Sequence, residues 1–161
     1  MRVRSDRMLG QIERLYDERL DYFVQVARAI TGDRERACEA VQEAFASVVK
    51  ARGTFRGDGP LEAFVWRAVV NAARKATRRP LVEVHELERD ELVLPEESAR
   101  LAPLVAALPE RQRLVVFLRY YADLDYAAIG TILGIEPGTV GPTLAAAHAA
   151  LRKSLSKEVR R

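Results

Sequence analysis

Residues 108–140 read LPERQRLVVFLRYYADLDYAAIGTILGIEPGTV, and the order of local signals along them decides the fold. A helix running to LRYY gives way to the turn ADLD, where Asp125 is placed to cap a short second helix. Tyr126, Ile129 and Leu133 then recur at helical spacing and are expected to face inward. Gly134 ends that helix, with Ile135 as its buried follow-on. A third helix leaves the glycine turn. This succession is a helix–turn–helix, whose last helix is the one that ordinarily enters a DNA groove.

That last helix is short of the usual tools. From Val140 to Leu151 it carries neither lysine nor arginine, the groups that grip guanine and phosphate. What remains is the hydroxyls of Thr139 and Thr143, backbone N–H groups at the helix start, and alanine methyls suited to a thymine methyl. Pro142 has no N–H and breaks a helix interior at a cost of ~3 kcal/mol, yet is tolerated in a first turn. The helix is therefore expected to begin near Thr139, with Thr139 as cap, and to run to about residue 157. Its continuation TLAAAHAALRK has high helix propensity.

Upstream the pattern stays helical. From Leu9, apolar residues recur through Ile12, Leu15, Tyr16, Leu20, Phe23, Val26, Ala27 and Ile30, a 3.6-residue period. TGD breaks that helix, and Asp33 is placed to cap the next, which buries Ala37, Val41, Ala44, Phe45 and Val48. RGTFRGDGP is a loop by its glycines and proline. A third helix runs over about 61–79, with Leu61, Phe64, Val65, Ala68, Val69 and Ala72 as its apolar side. Pro80 stops it. Residues 80–100 are acidic with scattered apolar residues, and read as a linker. The helices after it are expected at about 98–107, 110–121, 125–133 and 139–157. The fold class is all-α: two small helical domains, at 8–79 and 101–157, joined by the acidic linker.

Charge follows the same division. Residues 1–80 hold 16 basic against 11 acidic residues, a net of +5; residues 81–107 are net −5 and residues 108–161 net +3. Two basic blocks around an acidic connector suit a chain whose ends approach nucleic acid, or two ordinary solvated surfaces on a tether. No apolar run, Leu114–Leu118 included, exceeds five residues, far short of the ~18–20 that span a bilayer, and the chain is read as cytoplasmic with no membrane span. One cysteine, Cys38, and two histidines, His85 and His148, offer no disulfide and no metal-ligand spacing. No phosphate-binding loop follows a strand and no Ser/His/Asp set is evident. The positive signals concern binding, and neither an enzyme activity, a cofactor nor a metal is expected.

In the third helix, Arg67, Asn71, Arg74 and Arg78 recur at helical spacing and form a polar stripe, widened by Lys75 and Arg79. Guanidinium groups can touch phosphates, Asn71 can pair with a base edge, and Trp66 beside them can stack on an unpaired base. The same residues also allow a solvated face and a core tryptophan. In the second helix, Glu39, Gln42 and Glu43 share an outer face, with a like-charge pair four residues apart.

LYDERLDYFVQVARAITGDRERACEAVQEAF, FRGDGPLEAFVWRAVVNAARKATRR and the opening stretch, in that order, resemble the extracytoplasmic-function (ECF) group of bacterial RNA polymerase sigma factors. The resemblance covers roughly Ile12 to Arg79 and Leu101 to Leu155. It implies that Glu39, Gln42 and Glu43 dock on the clamp coiled coil of the RNA polymerase core. It implies that Phe55, Arg56 and Asp58 of the loop, with Trp66, Arg67, Asn71, Arg74, Lys75 and Arg78, open the minus-ten element of promoter DNA. The carboxy-terminal domain would sit on the polymerase flap and read the minus-thirty-five element, weakly, through Arg119, Tyr126, Thr139, Thr143 and His148. The acidic linker would thread a basic channel, and an anti-sigma factor has room as a further partner. Two departures from the family stand out. Gly141, Pro142 and Thr143 stand where Lys-Ser-Arg is common, and Val49 where tryptophan is frequent. The departure in the last helix keeps a second reading open: a sigma-like regulator that binds polymerase or another regulator without initiating. A third reading, an ordinary dimeric helix–turn–helix regulator, fits the amino-terminal motifs poorly.

Overall fold

The computed structural model describes residues 2–78, 101 and 103–160, and every regular element among them is a helix. The expected acidic linker, residues 80–100, lies outside the described residues.

The first helix, α1 (Arg2–Thr31), is longer than the apolar period from Leu9 suggests. Its first turns reach back along the end of the next helix, where the Arg52 guanidinium donates to the Ser5 hydroxyl at 3.1 Å. Gly32, with φ of 75°, takes the left-handed turn that follows. Asp33 then accepts from the N–H groups of Glu35 and Arg36 at 3.2 and 3.3 Å, so the expected cap is present. α2 (Arg34–Ala51) buries the expected Ala37, Val41, Ala44, Phe45 and Val48, and Ala40 besides.

α3 (Leu61–Thr77) is rotated from the sequence expectation. Val65, Val69 and Ala72 are buried as expected, but Trp66, Val70 and Ala73 join them, while Phe64 and Ala68 are only half-buried. The cause is crowding on several sides: α3 lies against both α1 and α2 and also against a helix of the carboxy-terminal domain. The domain core is aromatic. Phe23 packs on Trp66 with ring centroids 4.3 Å apart and on Phe45 at 5.2 Å, and Tyr16 meets Phe45 edge-on at 5.0 Å. Such pairs add ~0.5–1.5 kcal/mol each beyond the area they remove from water.

In the second domain, residues 103–106 are helical, and Arg113 fastens that turn by donating to the Ala106 carbonyl at 2.9 Å. α4 (Glu110–Tyr120) follows, burying Leu114, Val115, Val116 and Leu118. Asp123, with φ of 52°, makes the corner. α5 (Tyr126–Leu133) opens on Asp125, whose carboxylate accepts from the Ala128 N–H at 2.8 Å. It closes on Gly134 (φ 67°). Gly130 is required by close approach: a Cβ there would stand 2.7 Å from the Ile135 carbonyl oxygen. The helix–turn–helix is completed by α6 (Pro137–Val159), which packs on both α4 and α5.

The two domains are not merely tethered. α5 lies against α3 and α4 against α1. At the seam Arg74 Nε is 3.6 Å from Glu110 Oε1, and the Tyr22 and Tyr121 rings meet edge-on at 6.3 Å.

Candidate nucleic-acid interface

On α3 and its C-cap residue Arg78, at about 100° per residue, Arg67, Asn71, Arg74 and Arg78 fall within an arc of about 60°, and they extend over about 16 Å of axis. Arg67, Asn71 and Arg78 are exposed. Arg74 is at the edge of the arc, one-third exposed and turned to Glu110. Lys75 lies on the opposite edge, 3.1 Å from Glu43. Three of the four residues of the stripe are therefore exposed, and its two edges are held by carboxylates.

Trp66 is not part of that surface. Its side chain is fully buried against Phe23, which overturns the expectation that it stacks on an unpaired base; its indole N–H has no hydrogen-bond partner in this packing. The aromatic group that does border the stripe is Phe64. Half-buried, it lies about 20° from Asn71 and Lys75 on the helix wheel. Phe55 reaches across from the loop to meet it, ring centroids 5.2 Å apart. Arg56 and Asp58 are exposed on the same loop, where Gly57 takes φ of 79°. The signal that could have found Phe64 was its spacing of three and seven residues from Arg67 and Asn71. Reading it as apolar-side hid that relation.

Glu39 and Gln42 are exposed on α2, with Glu43 half-buried beside them. The Lys75–Glu43 pair joins this acidic face to the cationic stripe, so the two expected binding surfaces are neighbours.

In the carboxy-terminal domain the expected residues are more occupied. α6 begins at Pro137, not Thr139, with Glu136 as its N-cap residue and Pro142 inside the helix. Pro137 suits the first helical position. The N–H that Pro142 lacks would have served the carbonyl of exposed Gly138, which water can serve instead. Thr139 is thus not the cap: its N–H donates to the Glu136 carbonyl at 2.9 Å, and its carbonyl accepts from the Thr143 hydroxyl at 2.7 Å. Tyr126 is 43% exposed rather than inward-facing, its ring lying along Gly141. Arg119 donates to the Leu124 carbonyl at 3.3 Å and pairs with Asp123 at 3.7 Å, which fixes the corner before α5. His148 Nε2 and the Tyr120 hydroxyl are 2.9 Å apart. The outward face of α6 that follows, with Pro142, Ala145, Ala146 and Ala149 exposed, is free of charge.

Among the described residues no helix is long and apolar enough to cross a membrane. Cys38 is a free, half-buried thiol, and Val49 is half-buried against the core.

A family model described as Sigma-70 region 2 matches residues 15–80, and one described as Sigma-70, region 4 matches residues 98–151. The chain is similar to the RNA polymerase sigma-H factor of Pseudomonas aeruginosa, at 27% identity covering 80% of this chain and 77% of that protein. It is similar to the ECF RNA polymerase sigma-E factor of Escherichia coli K12, also at 27% identity, covering 76% of this chain and 75% of that one. Among solved structures it is similar to CnrH in complex with the cytosolic domain of CnrY, with a TM-score of 0.71 and 22% identity over 91% of this chain and 88% of that one. That last likeness is one of fold.

Proposed function

We propose that this chain, which belongs to the sigma-70 family of RNA polymerase sigma factors and to its ECF group, directs polymerase to promoters by opening the minus-ten element, and reads the minus-thirty-five element only weakly. The amino-terminal domain, within residues 8–79, does the first task and the carboxy-terminal domain, within 101–157, the second. The single observation carrying this reading is the α3 arc of Arg67, Asn71, Arg74 and Arg78 beside the acidic face of α2.

In this mechanism Glu39, Gln42 and Glu43 dock on the clamp coiled coil, and the carboxy-terminal domain rests on the flap. The α3 arc neutralises phosphates of the separated strand. Phe64 and Phe55, rather than Trp66, present the aromatic surface on which an unpaired base stacks, a contact worth ~1–3 kcal/mol per base. Arg56 and Asp58 border it on the loop. At the minus-thirty-five element the N-terminal part of α6 contributes Thr139, Thr143 and small methyl groups, while Arg119, Tyr126 and His148 shape the support behind it. The bond-forming chemistry is the polymerase's. A protein that binds this chain as CnrY binds CnrH is a further proposed partner.

The charge-free outward face of α6 favours one competing reading, in which the chain binds polymerase or another regulator without initiating. Run-off transcription with core polymerase and a promoter library separates the two. The proposed function requires promoter-specific transcripts that fall at least tenfold in Arg67→Ala and Asn71→Ala. Stable association with core polymerase and no specific transcript would sink it in favour of the regulator.

A further inference from the structure

α1 carries a cationic face of its own, ahead of residue 15, where the match to sigma-70 region 2 begins. At about 100° per residue, Arg4, Arg7, Gln11 and Arg14 fall within one arc of about 80°, and all four are exposed. They extend over about 15 Å of axis, at ~1.5 Å per residue. The carboxylates Asp6, Glu13 and Asp17 gather on another side of the wheel, about 120° away. Glu18 closes the stripe one turn beyond Arg14. Among the described residues, Arg4, Arg7 and Arg14 have no ion-pair partner.

We propose that this face of α1 is a second phosphate-binding surface for single-stranded DNA, which takes up the unpaired strand after it leaves Phe55 and Phe64. The inference rests on the sigma-factor reading above and deepens it.

Contacts between the helices fix where the face lies. Arg19 pairs with Glu62 at 3.4 Å and Phe23 packs on Trp66, so α1 and α3 run parallel in one register. That register sets Arg67 level with Val24 of α1, about 15 Å beyond Arg14 along the axis. The loop between α2 and α3 lies in between. Arg52, at its start, donates to Ser5, and Glu62, just past its end, meets Arg19. The loop with Phe55 and Arg56 therefore travels about 21 Å alongside α1, past Arg7, Gln11 and Arg14. Stripe, loop and α3 arc thus follow one another along the domain. Both cationic faces also border the same neighbour. Arg74, at the edge of the α3 arc, meets Glu110; Tyr22, five full turns after Arg4 on the same face of α1, meets Tyr121.

A strand held by the α3 arc, with a base stacked on Phe64 and Phe55, reaches α1 next. Guanidinium groups one and two turns apart neutralise its phosphates without reading sequence, and the Gln11 amide can bond a phosphate or a base edge. An acidic protein surface is the competing occupant. Continuity favours the strand: successive cationic segments along one line suit a polyanion of repeating phosphates.

The test uses the full chain and a fluorescein-labelled oligothymidylate of about 20 nucleotides, longer than the ~4–16 that one single-strand site covers. Anisotropy titrations run between about 50 and about 200 mM salt. Arg7→Gln with Arg14→Gln is compared with Arg111→Gln with Lys157→Gln, an equal charge loss at exposed positions of the carboxy-terminal domain. A third pair, Arg67→Gln with Arg78→Gln, lies in the α3 arc. Loss of two phosphate contacts on a single strand lowers the slope of log affinity against log salt by about 1.4. Across that salt range the α1 pair then loses about sevenfold less affinity than wild type, and the carboxy-terminal pair keeps its slope within about a third of that change. Circular dichroism confirms that all variants are folded. The proposal is overturned if the α1 pair matches the carboxy-terminal pair, or if wild-type chain shows no salt-dependent binding. It is overturned too if the α1 pair loses at least as much slope on a mixed-sequence duplex, which makes the face a duplex site. Retained slope with lost association with core polymerase also overturns it, and makes the face a protein dock. The α3 pair keeps two failures apart. An α3 effect without an α1 effect overturns this proposal alone; no effect in either pair removes the strand-opening reading as well.

Discussion

Lys75 and Glu43 hold one another at 3.1 Å across the groove between α3 and α2, joining the proposed DNA-facing helix to the proposed polymerase-facing one. Both side chains are substantially exposed, 64% and 41%. A pair of this kind contributes ~0–1 kcal/mol to stability. Glu43→Gln is therefore expected to shift the melting temperature by no more than a few degrees, yet to weaken association with core polymerase several-fold. A large loss of thermal stability with unchanged association would assign Glu43 to structure alone.

Arg74 is shared between two tasks. It belongs to the cationic arc, and it pairs with Glu110 of the other domain at 3.6 Å. A strand phosphate and the Glu110 carboxylate compete for one guanidinium. Glu110→Gln is expected to raise affinity for a single-stranded minus-ten oligonucleotide about two- to fivefold, the equivalent of ~0.5–1 kcal/mol. Arg74→Gln should lower it. Changes of the same sign in both variants would show that the pair does not restrain binding.

Trp66 and Phe64 are expected to behave oppositely. Trp66→Ala removes the largest fully buried side chain of the core and should destabilise by ~3–5 kcal/mol, whereas Trp66→Phe keeps promoter opening. Phe64→Ala, at a half-buried position, should cost less stability and more strand opening, read by permanganate reactivity of unpaired thymines. Opening that survives Phe64→Ala and fails in a folded Trp66→Phe would reverse the assignment.

Two glycines give a contrast in denaturant melts. Gly130→Ala sets a Cβ 2.7 Å from the Ile135 carbonyl oxygen. Backbone lines that contact, so the turn itself must shift, at ~1–3 kcal/mol. Gly10, within α1, has nothing near its would-be Cβ within 4 Å, and Gly10→Ala should stabilise by ~0.5–1 kcal/mol.

The first half of α6 can be given the cations it lacks. A Cβ on Gly141 would lie 3.4 Å from Tyr126 Cε2, a tight contact that the exposed ring can relieve by moving slightly. Gly141→Lys with Thr143→Arg is expected to raise duplex affinity about tenfold, since a good side-chain pair with a base is worth ~1–3 kcal/mol. Gel shifts at fixed salt measure it. Tight, specific binding by the unmodified chain, with no gain in the variant, would remove the case for weak reading.

Most helices, and the caps at Asp33, Asp125 and Gly134, were legible along the chain, because those signals are local; the start of α6 was not. Asp33, Asp125 and Gly134 each act on hydrogen bonds within four residues, and the stripe of α2 repeats often enough to fix its own phase. Local rules also placed the helix–turn–helix and the cationic arc of α3. What they left open was rotation and docking. Whether Trp66 or Phe64 faces the core depends on α1, α2 and α5 all meeting α3, contacts remote in sequence. Pro142 could sit in the second turn of α6 only because Pro137 starts the helix earlier and the unserved carbonyl faces water. The Arg74–Glu110 seam, too, belongs to neither domain's sequence taken separately. Period and capping chemistry determined which segments are helical; burial from several directions decided which side chains remain outside to bind.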